Sequence, residues 1–500
     1  MTDLGKSEAA LQEVQPTTML DTEQHEPGPL VSTDNSATTT FIAESAPSSE
    51  ISHDIKEKDS ENVPLDQPVA YSGLEVEKKT GYSEEVQDAG LGAWMTVVGA
   101  WLILFASIGN IYSFGVYQDS LDYYSRFFLR QFTPSQIGWM GSVLLMLPFA
   151  GGIVAGKLFD KGYFRHVVLT GSVLILFSLF MLSLAKEGQY YQDTYWRLFT
   201  KVFLSQSVGV GLGGGLILAP TTGIVSLHFT KNRNLAYGIT LTGVSVGAVV
   251  LPIALNHLIP RIGFAQAVRV DAYIALGCLV VGNALLRLPE AYKNKKPTVV
   301  NVVNFFRDPA YVTFIVGSMM VAFGIYFPLV YMQLYSILHH IDTNLAFYSL
   351  AIINGASALG RIGANYFADR YGVWKLQVPT TLLAGVSIWS MLTVKDKSSM
   401  IAVSFFYGIF SGAWLSLAMG ALASLATCPQ EIGARIGVAL AICSLGLLGS
   451  IPAQGALLTD RYLWARPVTF SGSMMFGASI LYALTWWIVV RKKNAQTSTV

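Results

Sequence analysis

Residues 226–247, SLHFTKNRNLAYGITLTGVSVG, decide how the chain folds. The stretch opens with a polar turn that carries Lys231 and Arg233, and it then enters an apolar run in which small residues recur. Gly243 and Gly247 are four positions apart, so they share one helix face where a second backbone can approach closely. Because apolar segments of membrane length lie on both sides, we interpret the turn as a charged hinge between two membrane spans.

The composition is that of a membrane protein. Hydrophobic residues make up 52% of the chain and charged residues 13%, and the mean hydropathy is +0.46. Residues 1–88 differ from the remainder, because they hold 19 acidic residues against 5 lysines and few aromatic residues. Such a segment buries too little apolar surface to offset its chain entropy. We expect a disordered acidic cytoplasmic tail, either simply solvated or recognised by regulatory partners.

Twelve apolar runs follow, each near the ~20 residues that a helix needs to cross ~30 Å of hydrocarbon. The sequence therefore predicts an all-α membrane protein with twelve transmembrane helices in two six-helix bundles, at residues 89–289 and 310–490. A polar connector at 290–309 separates the bundles, and a basic cytoplasmic tail follows at 491–500. The runs lie at residues 92–117, 137–159, 166–186, 197–220, 235–257, 272–289, 310–335, 345–366, 375–394, 399–424, 432–456 and 468–490.

Lys and Arg in the short loops predict the orientation. Fifteen of them lie on the side that holds both chain termini and eleven on the other side, which places both termini in the cytoplasm. We expect a plasma-membrane location.

Two polar turns, one in each half of the chain, have similar sequences. Asp160-Lys161 follows span two and Asp369-Arg370 follows span eight, 209 residues later, as a repeated six-helix unit would give. A plain solvated turn is the simpler interpretation. The alternative is a charge latch between helix ends that breaks and reforms during transport, with these candidate residues: Asp160, Lys161, Arg165, Lys231, Arg233, Asp369 and Arg370.

These patches resemble the major facilitator superfamily, and the hinge resembles its fungal and animal monocarboxylate-porter branch. That branch has Tyr-Phe-x-basic-basic-x-x-x-Ala-x-Gly between spans four and five. Here His228 replaces the Tyr and Asn232 fills a basic place, while the matching positions are Phe229, Lys231, Arg233, Ala236, Gly238 and Gly243. The resemblance implies an alternating-access carrier for a small organic anion. Fungal relatives are also associated with flavin uptake and with export of acidic secondary metabolites.

Polar residues within the apolar spans are the candidates for substrate binding. Arg361 in span eight matches the arginine that the family uses for a substrate carboxylate; the alternative is an arginine that snorkels to the membrane edge. Asn354 lies two turns earlier on the same face. The remaining candidates are residues of a kind that more often forms helix–helix hydrogen bonds than ligand contacts: Asn110, Tyr112, Gln206 and Gln333.

Two departures from the lactate-porter pattern concern proton coupling. Ser357 stands where those porters carry an aspartate, and Val116 stands where they carry a lysine. In addition, all 13 acidic residues after residue 88 are expected at span ends or in loops. We therefore expect uniport, or cotransport of a protonated substrate.

The sequence predicts a carrier that moves a small monocarboxylate-like anion across the lipid bilayer. Efflux of an acidic secondary metabolite and uptake of a riboflavin-type solute are alternatives, and a non-transporting nutrient sensor is an alternative of another class. We expect no enzyme activity, cofactor, metal or nucleic-acid partner, since the chain shows no catalytic triad order, metal-ligand spacing or paired carboxylates in a plausible cleft.

Overall fold

The computed structural model describes residues 90–114, 134–184, 202–289, 302–427, 431–459 and 461–497, and these residues form helices and turns without strands. Twelve helices are long and apolar enough to span a membrane. We number them in chain order: α1 Leu91–Ile111, α2 Trp139–Asp160, α3 Phe164–Leu182, α4 Phe203–His228, α5 Arg233–Ile262, α6 Phe264–Leu285, α7 Pro309–Leu338, α8 Thr343–Tyr371, α9 Val373–Thr393, α10 Lys397–Ser424, α11 Ile432–Leu458 and α12 Ala465–Ala495.

The helix count and fold class predicted from the sequence are confirmed. The predicted tail at 1–88 and most of the connector lie outside the described residues; the connector ends in a short 3₁₀ helix, Val302–Arg307. Within the basic end of the chain, the last helix continues to Thr497.

The largest correction concerns the start of α6. The helix begins at Phe264, eight residues before the predicted start, directly after Gly263, which adopts φ +79°. Polar residues near the start of the helix hide it from a hydropathy pattern. Asp271, one of them, lies inside the helix and is 2% exposed. The expectation that no acidic residue lies within a span is therefore wrong.

The packing of the helices repeats after six. In the first half, α1 packs on α5 and α6, and α3 packs on α4 and α6; in the second half, α7 packs on α11 and α12, and α9 packs on α10 and α12. The two halves meet through α5 against α8 and through α2 against α11, which are equivalent pairs under the same shift. This is the arrangement that a duplicated six-helix unit produces.

Equivalent tight turns close the second helix of each half. Gly162 after α2 and Gly372 after α8 adopt φ +88° and +91°, a conformation that glycine reaches without steric cost. The turns place Asp160 and Asp369 at the side of the molecule where α1 begins and α12 ends, which we call the termini side.

The predicted close approach of a second backbone to α5 is confirmed. Gly243 faces the backbone of Trp101, and a Cβ on Gly247 would come 2.9 Å from the Cα of Gly109, with both partner residues on the α1 segment. Such contacts bring helices together in a membrane, where no hydrophobic force drives them to associate.

We predict that Gly247→Ala destabilises the protein by about 1–3 kcal/mol, because the added methyl group forces α1 and α5 apart. Gly277→Ala on α6 is the matched control, since a Cβ there meets nothing within 4 Å. Thermal unfolding in detergent should show a lower midpoint for the first variant only. Equal midpoints would contradict the proposed contact.

Candidate functional site

Arg361 is buried deep in α8. It follows Thr343 by eighteen residues, so it lies about 27 Å along the helix at about 1.5 Å per residue. Its side chain is 3% exposed and its Nε donates to Ser357 Oγ at 3.2 Å, while the buried Nη1 has no partner among the described residues. This burial disfavours the alternative of an arginine at the membrane edge. A guanidinium with a donor to spare is suited to an acceptor on a substrate.

A cavity between the halves brings Arg361 together with two other predicted residues. Tyr112 from α1 and Asn354 from α8 line it, joined by Tyr326 from α7 and Ser411 from α10. The Tyr112 and Tyr326 side chains line this cavity together with the guanidinium of Arg361. The cavity therefore has one charged corner surrounded by hydroxyl and amide groups.

Three neighbouring cavities extend from the same place, and Tyr326 lines each of them. One contains Gln333 and encloses about 130 Å³, against about 30 Å³ beside Arg361, so it is the wider part of the space between the halves. The other two are almost entirely apolar, and their walls include Phe149, Phe314, Trp414, Ile108, Leu145 and Leu241. A solute in this space would meet one polar corner and extensive apolar walls.

Tyr326 is positioned by a break in α7. Regular helix stops at Gly324 and resumes at Phe327. The carbonyl of Ile325, which lies in the break, accepts a hydrogen bond from the buried Tyr407 hydroxyl. Irregular backbone at membrane depth requires such a partner, because neither lipid nor water is available to satisfy it.

Two predicted site residues do not line these four cavities. Asn110 points to α6, where its Nδ2 donates to Asp271 Oδ2 at 2.6 Å. Gln206 is buried in a π-helical turn of α4, Phe203–Val210. The structure thus assembles Arg361 and Asn354 with Tyr112 and, in the adjoining cavity, Gln333.

Sequence reasoning missed several residues of the site. Glycine and proline at positions 324 and 328 bracket Tyr326 and could have indicated the helix break. Ser357 appeared only as a departure from a family pattern, yet its Oγ lies 3.2 Å from Ser245 Oγ and joins α8 to α5. Nothing in the sequence marks Ser411 as a site residue, since small hydroxyl residues are common in membrane helices.

Asp369 closes the halves on the termini side. Its Oδ2 accepts the backbone N–H of Leu235 at 2.8 Å, and its Oδ1 accepts the backbone and side-chain nitrogens of Asn234 at 3.0 and 2.8 Å. Both donor residues are in the first turn of α5. A carboxylate there satisfies unpaired N–H groups and interacts favourably with the helix dipole.

Asp160 makes the equivalent contact between α2 and α11, also on the termini side. Its Oδ2 accepts the backbone N–H of Ala434 at 2.7 Å, in the first turn of α11. Directly behind it, Gly156 and Gly433 bring the two backbones into contact. We call the Asp160 and Asp369 contacts the two latches.

The basic residues predicted for the latch are exposed or contact other groups. Lys161 and Arg165 are exposed, and Lys231 is exposed in the turn before α5. Arg370 lies over the ring of Tyr366 on its own helix, and Arg233 Nε donates to the Phe229 carbonyl at 3.4 Å. The described contacts of the latches are therefore hydrogen bonds from the first turn of a helix to a carboxylate.

Arg435, one residue after the second latch, organises the base of the second half. It is 4% exposed, lies 4.7 Å from the ring centre of Phe305, and pairs with Glu431 at 3.1 Å and Asp308 at 3.7 Å. Partial burial raises the pKa of Glu431, but hydrogen bonds from Thr427 and the charge of Arg435 bring it below its ordinary value. This cluster connects the end of the connector to the helix that forms a latch.

Two six-helix halves that enclose a central cavity and are latched at one side define a membrane carrier of the alternating-access class. A family model for the Major Facilitator Superfamily matches residues 89–446. The chain belongs to this superfamily.

Curated relatives and solved structures agree with this assignment. The chain is 34% identical to the aspyridones efflux protein of Emericella nidulans over 81% of this chain and 80% of that protein. It is 33% identical to the fujikurins efflux protein of Gibberella fujikuroi, over 80% and 84%. The proton:xylose symporter XylE shares the fold with a TM-score of 0.61 at 15% identity, covering 78% of this chain and 94% of XylE. FucP in its outward conformation has a TM-score of 0.59 at 12% identity, covering 78% and 98%.

We predict that Asp369→Asn and Asp160→Asn each weaken closure on the termini side, because a neutral amide cannot match a carboxylate at a helix start. A loss of about 1–2 kcal/mol would raise the open population about 5–30-fold. Spin labels at Lys161 and Lys375, both exposed, would report the separation of the halves.

Asp396→Asn is the matched control, because Asp396 caps α10 through Ser399 within one half. The distance distribution should broaden for the two latch variants and stay unchanged in the control. An unchanged distribution in all three proteins would contradict the latch assignment.

Proposed function

We propose that the protein exports an acidic, mainly apolar secondary metabolite across the plasma membrane, with both termini in the cytoplasm. The observation that carries this proposal is a single buried guanidinium, at Arg361, in a cavity whose remaining walls are mostly aromatic and aliphatic. The names of two relatives, the aspyridones and the fujikurins efflux proteins, support export as the direction.

The chemistry of the cavity favours an amphipathic solute over a small one. Arg361 Nη1 has a hydrogen to donate, and the Tyr112 and Tyr326 hydroxyls stand beside it. An acidic group on the solute would satisfy these donors in a charge-assisted contact. The apolar cavities that extend from Tyr326 would hold the body of the molecule and displace water from it.

A small monocarboxylate is the second candidate, favoured by the position of Arg361 in span eight. It would use the charged corner and leave the apolar spaces empty. The two candidates differ in how much of the cavity the solute fills, so the size of the transported molecule separates them.

We predict that Arg361→Gln reduces transport of an acidic solute about 10–100-fold, because a hydrogen bond to a charged group contributes about 1.5–3 kcal/mol. The measurement is exchange flux in proteoliposomes with aspyridones, fujikurins and labelled lactate as probes. Arg361→Lys should retain part of the flux, since it keeps the charge and loses the planar fork.

Arg466→Gln is the control, because Arg466 is exposed at the start of α12, away from the cavity. Flux of lactate without the larger probes would favour the monocarboxylate candidate. Undiminished flux of every transported probe in Arg361→Gln would remove Arg361 from the binding site.

A further inference from the structure

A second ionisable side chain is buried in the membrane region, away from the cavity. Asp271 lies on α6, seven residues after Phe264 and so about 10 Å from the start of the helix at about 1.5 Å per residue. Its side chain is 2% exposed, and its Oδ2 accepts from Asn110 at 2.6 Å. The buried Oδ1 has no hydrogen-bond partner among the described residues.

No described cation compensates a charge on this carboxyl group. Arg269 on the same helix is half-buried and His257 and Arg261 near the end of α5 are exposed, and none of them pairs with it. The basic residues at the start of α3, Arg165 and His166, belong to the termini side, at the opposite end from the start of α6. The described part of α1 carries no titratable side chain, and Tyr112, which follows it, lines the Arg361 cavity. An ionised carboxylate with one neutral partner is costly in this setting, whereas a protonated acid is not.

The partner of Asp271 connects it to the substrate cavity. Regular helix in α1 is interrupted at Ser107, and a short helical turn, Ile108–Ile111, carries Asn110. Tyr112 follows two positions later, about 200° around the helix axis from Asn110. The same short segment thus contacts Asp271 on one face and lines the Arg361 cavity with its other face.

We propose that Asp271 is the proton-binding site that couples transport to a proton gradient, through the end segment of α1. In the conformation latched on the termini side the carboxyl group holds a proton as a neutral acid. When the latches open and the end of α1 moves, water from the termini side reaches the carboxyl group. The O–H bond of the acid then breaks, and the proton passes to this water. Rebinding of a proton from the opposite side restores the acid, so one proton crosses per cycle.

This inference rests on the proposed function only for the identity of the solute. It replaces the uniport expectation, which depended on the absence of a carboxylate within the spans. Export against a concentration gradient requires such a coupled ion, and Asp271 is placed where the motion of α1 can reach it.

The first test needs no solute. Infrared difference spectra of the purified protein, titrated with acid and base, should show the carbonyl band of a protonated carboxylic acid at about pH 6, where an ordinary aspartate with a pKa of about 4 is ionised. Asp271→Asn should remove the part of this band that Asp160→Asn, at the half-buried latch carboxyl group, leaves in place. Asp342→Asn, at the exposed cap of α8, should leave it unchanged. Absence of the band in the wild-type protein would overturn the proposal.

The second test separates coupling from a purely structural role. Asp271→Asn keeps a polar group that can hydrogen-bond Asn110 but cannot carry a proton. In proteoliposomes with aspyridones as the probe, this variant should keep equilibrium exchange and lose at least 10-fold in accumulation driven by a pH gradient. Accumulation equal to that of the wild type would overturn the proposal.

Asn110→Ala provides a variant that retains the carboxyl group. It should keep the infrared band and shift the pH at which the band is lost, because the carboxyl group loses its hydrogen bond from the Asn110 amide. An unchanged titration would contradict the assignment of the band to Asp271. If the wild type moves no aspyridones, the infrared result alone decides the proton site, and the proposed function fails separately.

Discussion

Two carboxylates that accept backbone N–H groups at the start of a helix hold the halves of this carrier together on the termini side. Asp369 reaches α5 and Asp160 reaches α11, and each contact crosses from one six-helix half to the other. Each also depends on a small residue behind it, because Gly238 lets the backbone of α8 approach and a Cβ on Gly433 would collide with the Asp160 carboxylate itself. A contact of this kind breaks as a unit when the halves rock, since displacement of the helix removes all of its hydrogen bonds together.

The sequence allowed the membrane helices, their duplication and the two latch aspartates to be predicted, because hydropathy and spacing report these features directly. It failed where a polar residue interrupts an apolar pattern. The start of α6 was placed eight residues late, so Asp271 was assigned to a loop. It also could not show where a side chain points. Asn110 and Tyr112 are two positions apart, yet one faces α6 and the other faces the cavity.

Arg361 and Asp271 differ in what can balance a buried charge. Arg361 has hydroxyl groups around it and a donor directed to a space that a solute can enter, so its free hydrogen bond is available for recognition. Asp271 has one amide partner and no adjoining cavity among those described, so only a proton can neutralise it without a rearrangement. The same energetic cost of a buried charge therefore favours a solute at one position and a proton at the other.

The broken helices α1 and α7 link these two positions. They are equivalent under the six-helix repeat, and each ends its regular part just before a tyrosine, Tyr112 or Tyr326. The two side chains line the Arg361 cavity from opposite halves, Tyr112 from the first and Tyr326 from the second. A solute that separates these tyrosines would displace the end of α1, and Asn110 with it. Entry of a solute and access of water to Asp271 then depend on the movement of the same short segment at the end of α1.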